Sequence, residues 1–343
     1  MILFTDNRGI KLTFQAIKSQ EIEAIVGACI RPQYFQALKQ ISKEINVPFL
    51  IQPKINEKTF SAFIKKLKDF SPDLFFINSY SMILNHEILR IPKKGTLNIH
   101  TSLLPKNRGC NPIQWGIINN EKYAGATLHE VDTGIDTGPI IDQRKTKIFF
   151  EDTWLSVSDR IDSLIIELMR NNLKKILNFD FEKKNQNKKE SSCNKRRKVE
   201  DGFFSWDAPV IKIYNLIRAL VKPLPGARYI IDGDQKVIDK FLNISEVTFL
   251  KYEKNPLEFK LNRELLLRPC RNLIKDSDVR DLSIPNFIIF YNKLQIGLLK
   301  LIEINWSDGS ATFEIIYENE KLVKNIQLHL KNFFLKEFNL KLI

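Results

Sequence analysis

The sequence predicts an α/β protein, an open and mostly parallel sheet with helices on both faces, followed by a smaller α+β domain. Three observations lead there. Short apolar runs alternate with amphipathic stretches through the first half of the chain, a basic segment without a large apolar side chain interrupts it at 183–198, and short strand patterns take over from about residue 228.

Ala24 to Ile30 and Leu74 to Ile77 are continuous apolar runs of strand length, as in strands buried on both faces. Between them Tyr34, Leu38, Ile41 and Ile45 recur at helical spacing. So do Phe60, Phe63, Ile64, Leu67 and Phe70, with Asn56 as the expected N-cap. Strand, helix and strand in this order make βαβ units. Gly95 to His100 follows as a strand, then a loop, a helix around Gln114 to Asn119, and a strand at Ala126 to Val131. A helix carrying Val157, Ile161, Leu164, Ile165 and Leu168 comes next, behind Thr153 as its cap. No G-x-G-x-x-G follows a strand, and 13 glycines in 343 residues are sparse beside the usual share of about 7%. A dinucleotide-binding fold therefore has little support.

Beyond the basic segment, Asp207 and Pro209 read as the cap and first position of a helix continued by Val210, Ile213, Leu216, Ile217 and Leu220. Strands are expected at Phe287 to Tyr291, Ile296 to Ile304 and Ala311 to Tyr317, with turns at Asn292-Lys293 and Ser307-Asp308-Gly309. A final helix carries Leu322, Ile326, Leu330 and Phe333.

At 43% hydrophobic and 27% charged residues the composition is that of a soluble globular protein; disorder throughout, collagen and a disulfide scaffold are excluded. No uncharged apolar run approaches the roughly 18 residues that span a bilayer, and MILFTDNRG carries acid and base too early for a secretory signal. A cytoplasmic protein with no membrane partner is the expectation. Cys29, Cys110, Cys193 and Cys270 form no C-x-x-C pair and stand near no histidine at ligand spacing, so reduced thiols and no metal are expected.

The net charge of +13 is uneven. Eight basic residues (183, 184, 188, 189, 195, 196, 197 and 198) stand against Glu190 alone between Lys183 and Lys198, so more than half of the excess lies in that run. KKNQNKKESSCNKRRK cannot bury a face and reads as a solvated linker between domains. The rest is nearly balanced, which suits a small anionic substrate better than a polyanion; a nucleic-acid partner is not expected.

The chemistry-bearing residues cluster between 98 and 138. A period of two puts Leu97 and Ile99 on one strand face and Asn98 and His100 on the other, at the carboxyl end of a parallel strand, where open α/β sheets place their sites. Ser102-Leu-Leu-Pro105 and Arg108-Gly109 follow, and later Asp132-Thr-Gly-Ile-Asp-Thr-Gly138, two carboxylates in a glycine-bounded loop. An amide, an imidazole and a carboxylate make a workable set for acyl transfer to an amine. A lone strand histidine is more often structural, however, and D-T-G alone suggests an aspartic protease as readily.

LNIHTSLLPKNRGCNPIQWGIINNE followed by GATLHEVDTGIDTGPII resembles the folate-dependent formyltransferases, whose pattern is N-x-H-x-S-L-L-P and then D-x-G-x-D-x-G. The resemblance implies a Rossmann-like formyltransferase fold with Asn98, His100 and Asp136 as the catalytic trio. Asn98 and His100 would hydrogen-bond the developing oxyanion, while Asp136 would hold His100 and relay the proton. The implied donor is 10-formyltetrahydrofolate, with no metal. Its pterin would meet Tyr80, Met82, Ile83 and Leu84 on one segment, Ser102, Leu103 and Leu104 on another, and Asp132, Thr133, Ile135, Thr137 and Ile140 on the acidic loop. Asp132 would shape that loop, and Ser102 would order the turn after the strand.

Arg196, Arg197, Asp201, Gly202, Trp206, Asn215, Arg218, Pro223, Pro225 and Gly226 are similar to the start of the second domain in methionyl-tRNA and amino-arabinose formyltransferases. The paired arginines look more like the sugar-nucleotide branch, and Arg108, Arg196 and Arg197 are the expected contacts to substrate. The implied organisation is a catalytic domain over 1–182, a basic linker over 183–201 and a C-terminal domain over 202–343. In the last, 202–230 is formyltransferase-like, and about 245–343 faintly resembles an N-acetyltransferase without its phosphate loop, hence a degenerate binding or dimerisation module.

The implied function is N-formylation of a UDP- or dTDP-linked amino deoxy sugar in bacterial surface lipopolysaccharide biosynthesis, with room for a homodimer. Methionyl-tRNA formyltransferase is the alternative. Against it, Ile30-Arg-Pro-Gln-Tyr34 passes straight into a helix where the tRNA enzymes carry a basic loop.

Overall fold

A computed structural model describes residues 1–242, 247, 265–269, 287–291, 294–305, 310–317, 323–339 and 341–342. They group into two compact units. The first takes Met1–Gly116, Tyr123–Ile148 and Leu155–Arg197; the second takes Ile117–Lys122, Phe149–Trp154 and the chain from Lys198 on.

The sheet of the first unit is built from β1 (Ile2–Thr5), β2 (Ala24–Ala28), β3 (Phe49–Gln52), β4 (Phe75–Asn78), β5 (Thr96–His100), β7 (Tyr123–Glu130) and β8 (Ile140–Lys147); β6 is a two-residue strand at Arg108–Gly109. The order is β3-β2-β1-β4-β5-β7-β8. The first five strands run parallel, and β7 and β8 are antiparallel to their neighbours. Helices α1 (Asn7–Ala16), α2 (Phe35–Glu44), α3 (Phe60–Asp69), α4 (His86–Leu89), α5 (Pro112–Ile118) and α6 (Trp154–Asn178) complete the first part of the chain.

Apolar periodicity places the core. Phe60, Phe63, Ile64 and Leu67 of α3 pack with Phe4, Val26 and Phe75 of the sheet in one buried cluster, and each such side chain contributes about 1.5–3 kcal/mol on burial. On the opposite side Asn78 Nδ2 donates to Gly9 O at 3.2 Å and to Thr13 Oγ1 at 3.1 Å, tying α1 to β4. The α1 N-terminus is capped by Asp6, whose carboxylate accepts from the amides of Arg8 and Gly9.

Sequence and structure differ at three places here. Asn56 does not cap α3; Thr59 stands at the N-cap, without a side-chain bond. The four-residue strands β1 (ILFT) and β3 (FLIQ) were not among the expected strands. The third, β8, reads IIDQRKTK, a polar edge strand with partly exposed residues along most of its length, so no apolar pattern announces it.

In the second unit α7 (Val210–Ala219) is followed by the antiparallel hairpin β10 (Ala227–Ile231) and β11 (Asp234–Ile238). A five-stranded sheet runs β12-β13-β14-β15-β16 (Leu265–Pro269, Phe287–Tyr291, Leu294–Asn305, Ser310–Tyr317, Lys341–Leu342), with α8 (Val323–Phe338) between its last two strands. The three strands and the final helix expected here are present; the turns at 292–293 and 307–309 lie outside the described residues. Leu330, Phe333, Phe334 and Phe338 of α8 are buried.

Asp207 was the expected cap of α7, yet Pro209 occupies the N-cap without a side-chain bond. The buried Val210 N–H instead donates to Glu337 Oε2 of α8 at 3.1 Å. An anionic carboxylate at the positive end of a helix is favourable. Arg218, fully inside this unit, donates to the Phe149 and Asp152 carbonyls at 3.1 and 2.8 Å.

Candidate active site

The strand β5 ends at His100, and β7 runs antiparallel beside it with Asn98 directly opposite His129. Four polar side chains meet there. Asp136 comes from the loop after β7 with its backbone in the left-handed region, φ 52°, a conformation that Asp tolerates better than most residues. Its Oδ2 accepts from the Gly109 N–H at 2.8 Å and lies 3.5 Å from His100 Nδ1. Its Oδ1 lies 3.4 Å from Asn98 Nδ2 and 3.5 Å from His129 Nε2. The structure thus brings Asn98, His100 and Asp136 together.

The hydrogen-bond partners assign the tautomers. His100 Nε2 faces the Asn107 carbonyl at 2.8 Å, so it carries a hydrogen, and in the neutral ring Nδ1 is a bare lone pair turned toward Asp136. His129 Nδ1 faces the Glu130 carbonyl at 2.6 Å, so its Nε2 accepts from Asn98 Nδ2 at 3.0 Å. The Asn98 amide group is thereby oriented, since only its NH₂ suits both a bare imidazole nitrogen and a carboxylate.

Burial pushes the Asp136 carboxyl up, but a hydrogen bond from the protonated His129 ring, the positive charge of His100 and His129 when they carry their second proton, and the Gly109 amide outweigh it and hold the group at about 2. Asp136 is an anion at neutral pH. The His100 pKa is also lowered, but here burial is the cause, opposed in part by the Asp136 charge and the Asn107 carbonyl. A neutral imidazole with one free lone pair beside a fixed carboxylate is a competent proton acceptor.

His129 escapes a reading by sequence because a buried strand histidine looks structural. The signal that could have found it is the strand register, which sets it opposite Asn98. Asn107 and Gln186 were missed as well, and Gly109 was named without a role; their contributions are a carbonyl from Asn107 to His100, the Gly109 amide to Asp136, and two N–H bonds from Gln186 Nε2 to the Asp136 and Gly138 carbonyls at 2.8 and 2.7 Å.

Asp132 shapes its loop, accepting from the Gly134 amide at 3.0 Å and the Thr137 hydroxyl at 2.5 Å, while Thr133 is exposed. Ile83 and Ile135 expose 73% and 53% of their surfaces. Tyr80 donates to Gln52 Oε1 at 2.8 Å, and Met82 Sδ lies 3.8 Å from Cys29 Sγ. Leu84 and Leu104 are buried, and Leu103 is half-buried. The buried Ser102 hydroxyl donates to the Lys106 carbonyl at 2.8 Å, which orders the turn. Ile140 exchanges two backbone hydrogen bonds of 2.8 Å with Lys184.

Among the expected substrate arginines, Arg196 is exposed and the Arg197 amide donates to Asn111 Oδ1 at 3.3 Å. Arg108 has a partner inside the protein. Its guanidinium is buried and donates through Nε and Nη2 to Gln186 Oε1 at 3.0 and 2.7 Å.

The basic run is solvated as expected, but it is not free. The two-residue strand β9 (Cys193–Asn194) pairs in parallel with β6. Ser192 Oγ accepts from the Asn107 amide at 2.8 Å, and Asn194 Nδ2 donates to Asn107 Oδ1 at 2.8 Å. Polar side chains and backbone hold this strap where no apolar burial could. Gly109, with φ 83°, lets the strap approach, since a Cβ there would lie 2.5 Å from the Asn194 carbonyl oxygen.

Residues 7–173 match the family described as formyl transferase, and 196–255 match its C-terminal domain. Methionyl-tRNA formyltransferase of Caldanaerobacter subterraneus subsp. tengcongensis is 32% identical over 274 residues, 78% of this chain and 86% of the relative. The bifunctional polymyxin resistance protein ArnA of Wigglesworthia glossinidia brevipalpis is 36% identical over 220 residues, 64% of this chain, which spans 33% of that relative's length. A sugar N-formyltransferase from a Shewanella species shares the fold at a TM-score of 0.58 and 20% identity, covering 71% of this chain and 96% of its own. The N-formyltransferase of Helicobacter canadensis, solved with folinic acid and dTDP-3-aminofucose, gives 0.54 and 19% over 85% and 95%. The chain belongs to the formyl transferase family.

Proposed function

We propose that the protein transfers a formyl group from 10-formyltetrahydrofolate to the amine of a dTDP- or UDP-linked amino deoxy sugar, in the cytoplasm, for surface polysaccharide. The observation that carries the chemistry is the cluster of Asn98, His100, His129 and Asp136. In this reading the folate supplies an activated formyl carbon. Asn98 Nδ2 exchanges its long bond to Asp136 for the formyl oxygen, where negative charge grows. The bare Nδ1 of His100 takes the proton that the attacking amine loses, with the Asp136 charge stabilising the imidazolium. The new Nδ1–H then supports the same oxygen and finally returns the proton to the departing folate nitrogen.

The residues present suit such a donor. Ile83 and Ile135, large apolar side chains held in water on two loops, are what a flat ring would cover. For the acceptor, the exposed Arg196 and the lysines of the strap suit a diphosphate, and the Helicobacter canadensis enzyme was solved with a dTDP-amino sugar. The second reading, methionyl-tRNA, is favoured by the relative from Caldanaerobacter.

Purified protein incubated with 10-formyltetrahydrofolate and a panel of dTDP- and UDP-amino sugars is expected to release tetrahydrofolate with at least one of them. Formylation of methionyl-tRNA with every sugar inert would replace the sugar reading by the tRNA one.

A further inference from the structure

The strap crosses both segments that hold the reacting groups. On one side it pairs with 107–110, whose Asn107 carbonyl fixes His100 and whose Gly109 amide holds Asp136. On the other it pairs with Ile140, just past the Asp136 turn. Gln186 lies between, and every position of its amide is used. Its NH₂ donates to the Asp136 and Gly138 carbonyls, and its oxygen accepts twice from the Arg108 guanidinium. A flipped amide would set oxygen against two carbonyls and NH₂ against a cation, so the orientation is unambiguous. A segment that reads as spacer therefore donates to the backbone of the catalytic carboxylate itself.

We infer that Gln186 is a positioning residue for the transfer reaction: it locks the left-handed turn of Asp136 to the Arg108 segment and so sets the separation of the Asp136 carboxylate from His100 Nδ1. It touches no reacting atom and acts through two neighbours. Without its two N–H donors the carbonyls of residues 136 and 138 turn toward water, and the carboxylate retreats from the imidazole. The titratable groups facing His100 are Asp136 and His129. Loss of the nearby anion favours the neutral ring, so the His100 pKa falls further. An error of about 1 Å in a catalytic group can cost on the order of 100-fold in rate.

The inference rests on the formyl-transfer reading, and the test separates the two. The chain has four histidines, so the His100 ring signals can be assigned in a proton NMR titration by comparison with His100→Asn. In Gln186→Ala the His100 midpoint should move to lower pH, whatever reaction the protein catalyses. In Gln186→Met, which keeps the side-chain length and adds no charge but has no donor for the carbonyls, it should move the same way. If the native protein transfers formyl groups, both variants should lower kcat about 10- to 100-fold, leave KM within about threefold, and shift the acid limb of kcat downward with the NMR midpoint. A His100 midpoint unchanged in both variants overturns the inference, even if the melting temperature falls. A native protein inert toward every amine while the NMR shift appears would overturn the reaction and leave the positioning role standing.

Discussion

Helix α3 and the strap hold their places in the first unit by opposite means. The helix drives Phe60, Phe63, Ile64 and Leu67 into a shared apolar cluster, so its hold is non-directional and roughly proportional to buried area. The strap buries no large apolar side chain; it is fixed by a two-residue strand pair, Ser192, Asn194 and the fully used amide of Gln186. Area gives strength, while hydrogen bonds give position, and the strap borders the residues whose relative position matters most. A globular protein can thus set its core by patterning and its site by a polar strap that patterning does not reveal.

That contrast can be pressed from both ends. At the site, Asp136→Asn should lower kcat by about 1,000-fold or more, within the range for a lost acid–base partner, measured as tetrahydrofolate release, with little change in fold. Its pH behaviour follows from signs. The folded Asp136 pKa is depressed to about 2, so the carboxylate contributes stability above its unfolded value near 4 and loses it as pH falls toward 2. Acid titration of the native protein should therefore show about 2 kcal/mol of stability in that window that the Asn variant lacks. In the core, Phe75→Ala should cost about 3–5 kcal/mol in chemical denaturation while the surviving folded fraction keeps its kcat. In the strap, Ser192→Ala removes the acceptor of the Asn107 amide. It should cost only about 1 kcal/mol yet reduce kcat severalfold, because the Asn107 carbonyl orients His100. A Ser192 variant with full kcat would erase the distinction between strength and position.

The same division explains what could be read from the residues. Strands β2, β4 and β5 and helices α2, α3 and α6 follow from apolar periodicity, and Asn98, His100 and Asp136 from their motifs. Polar edge strand β8 carries too weak a pattern to be seen. His129 needs the β5–β7 register, and Gln186 needs the folded path of a chain that lies 50 residues from Asp136 in sequence. Arg108 shows another side of this: its residue type suits phosphate, but its burial and its two bonds to Gln186 become visible only in the fold.

The carboxylate of Glu337 on the first amide of α7 has a consequence in time. Those residues lie 127 positions apart, and at ordinary translation speeds of about 5–20 residues per second the ribosome delivers the acid roughly 6 to 25 s after the amide. During synthesis the amino end of α7 must satisfy its donors with water. The second unit can close over that helix only once α8 has been made, however early α7 itself has formed.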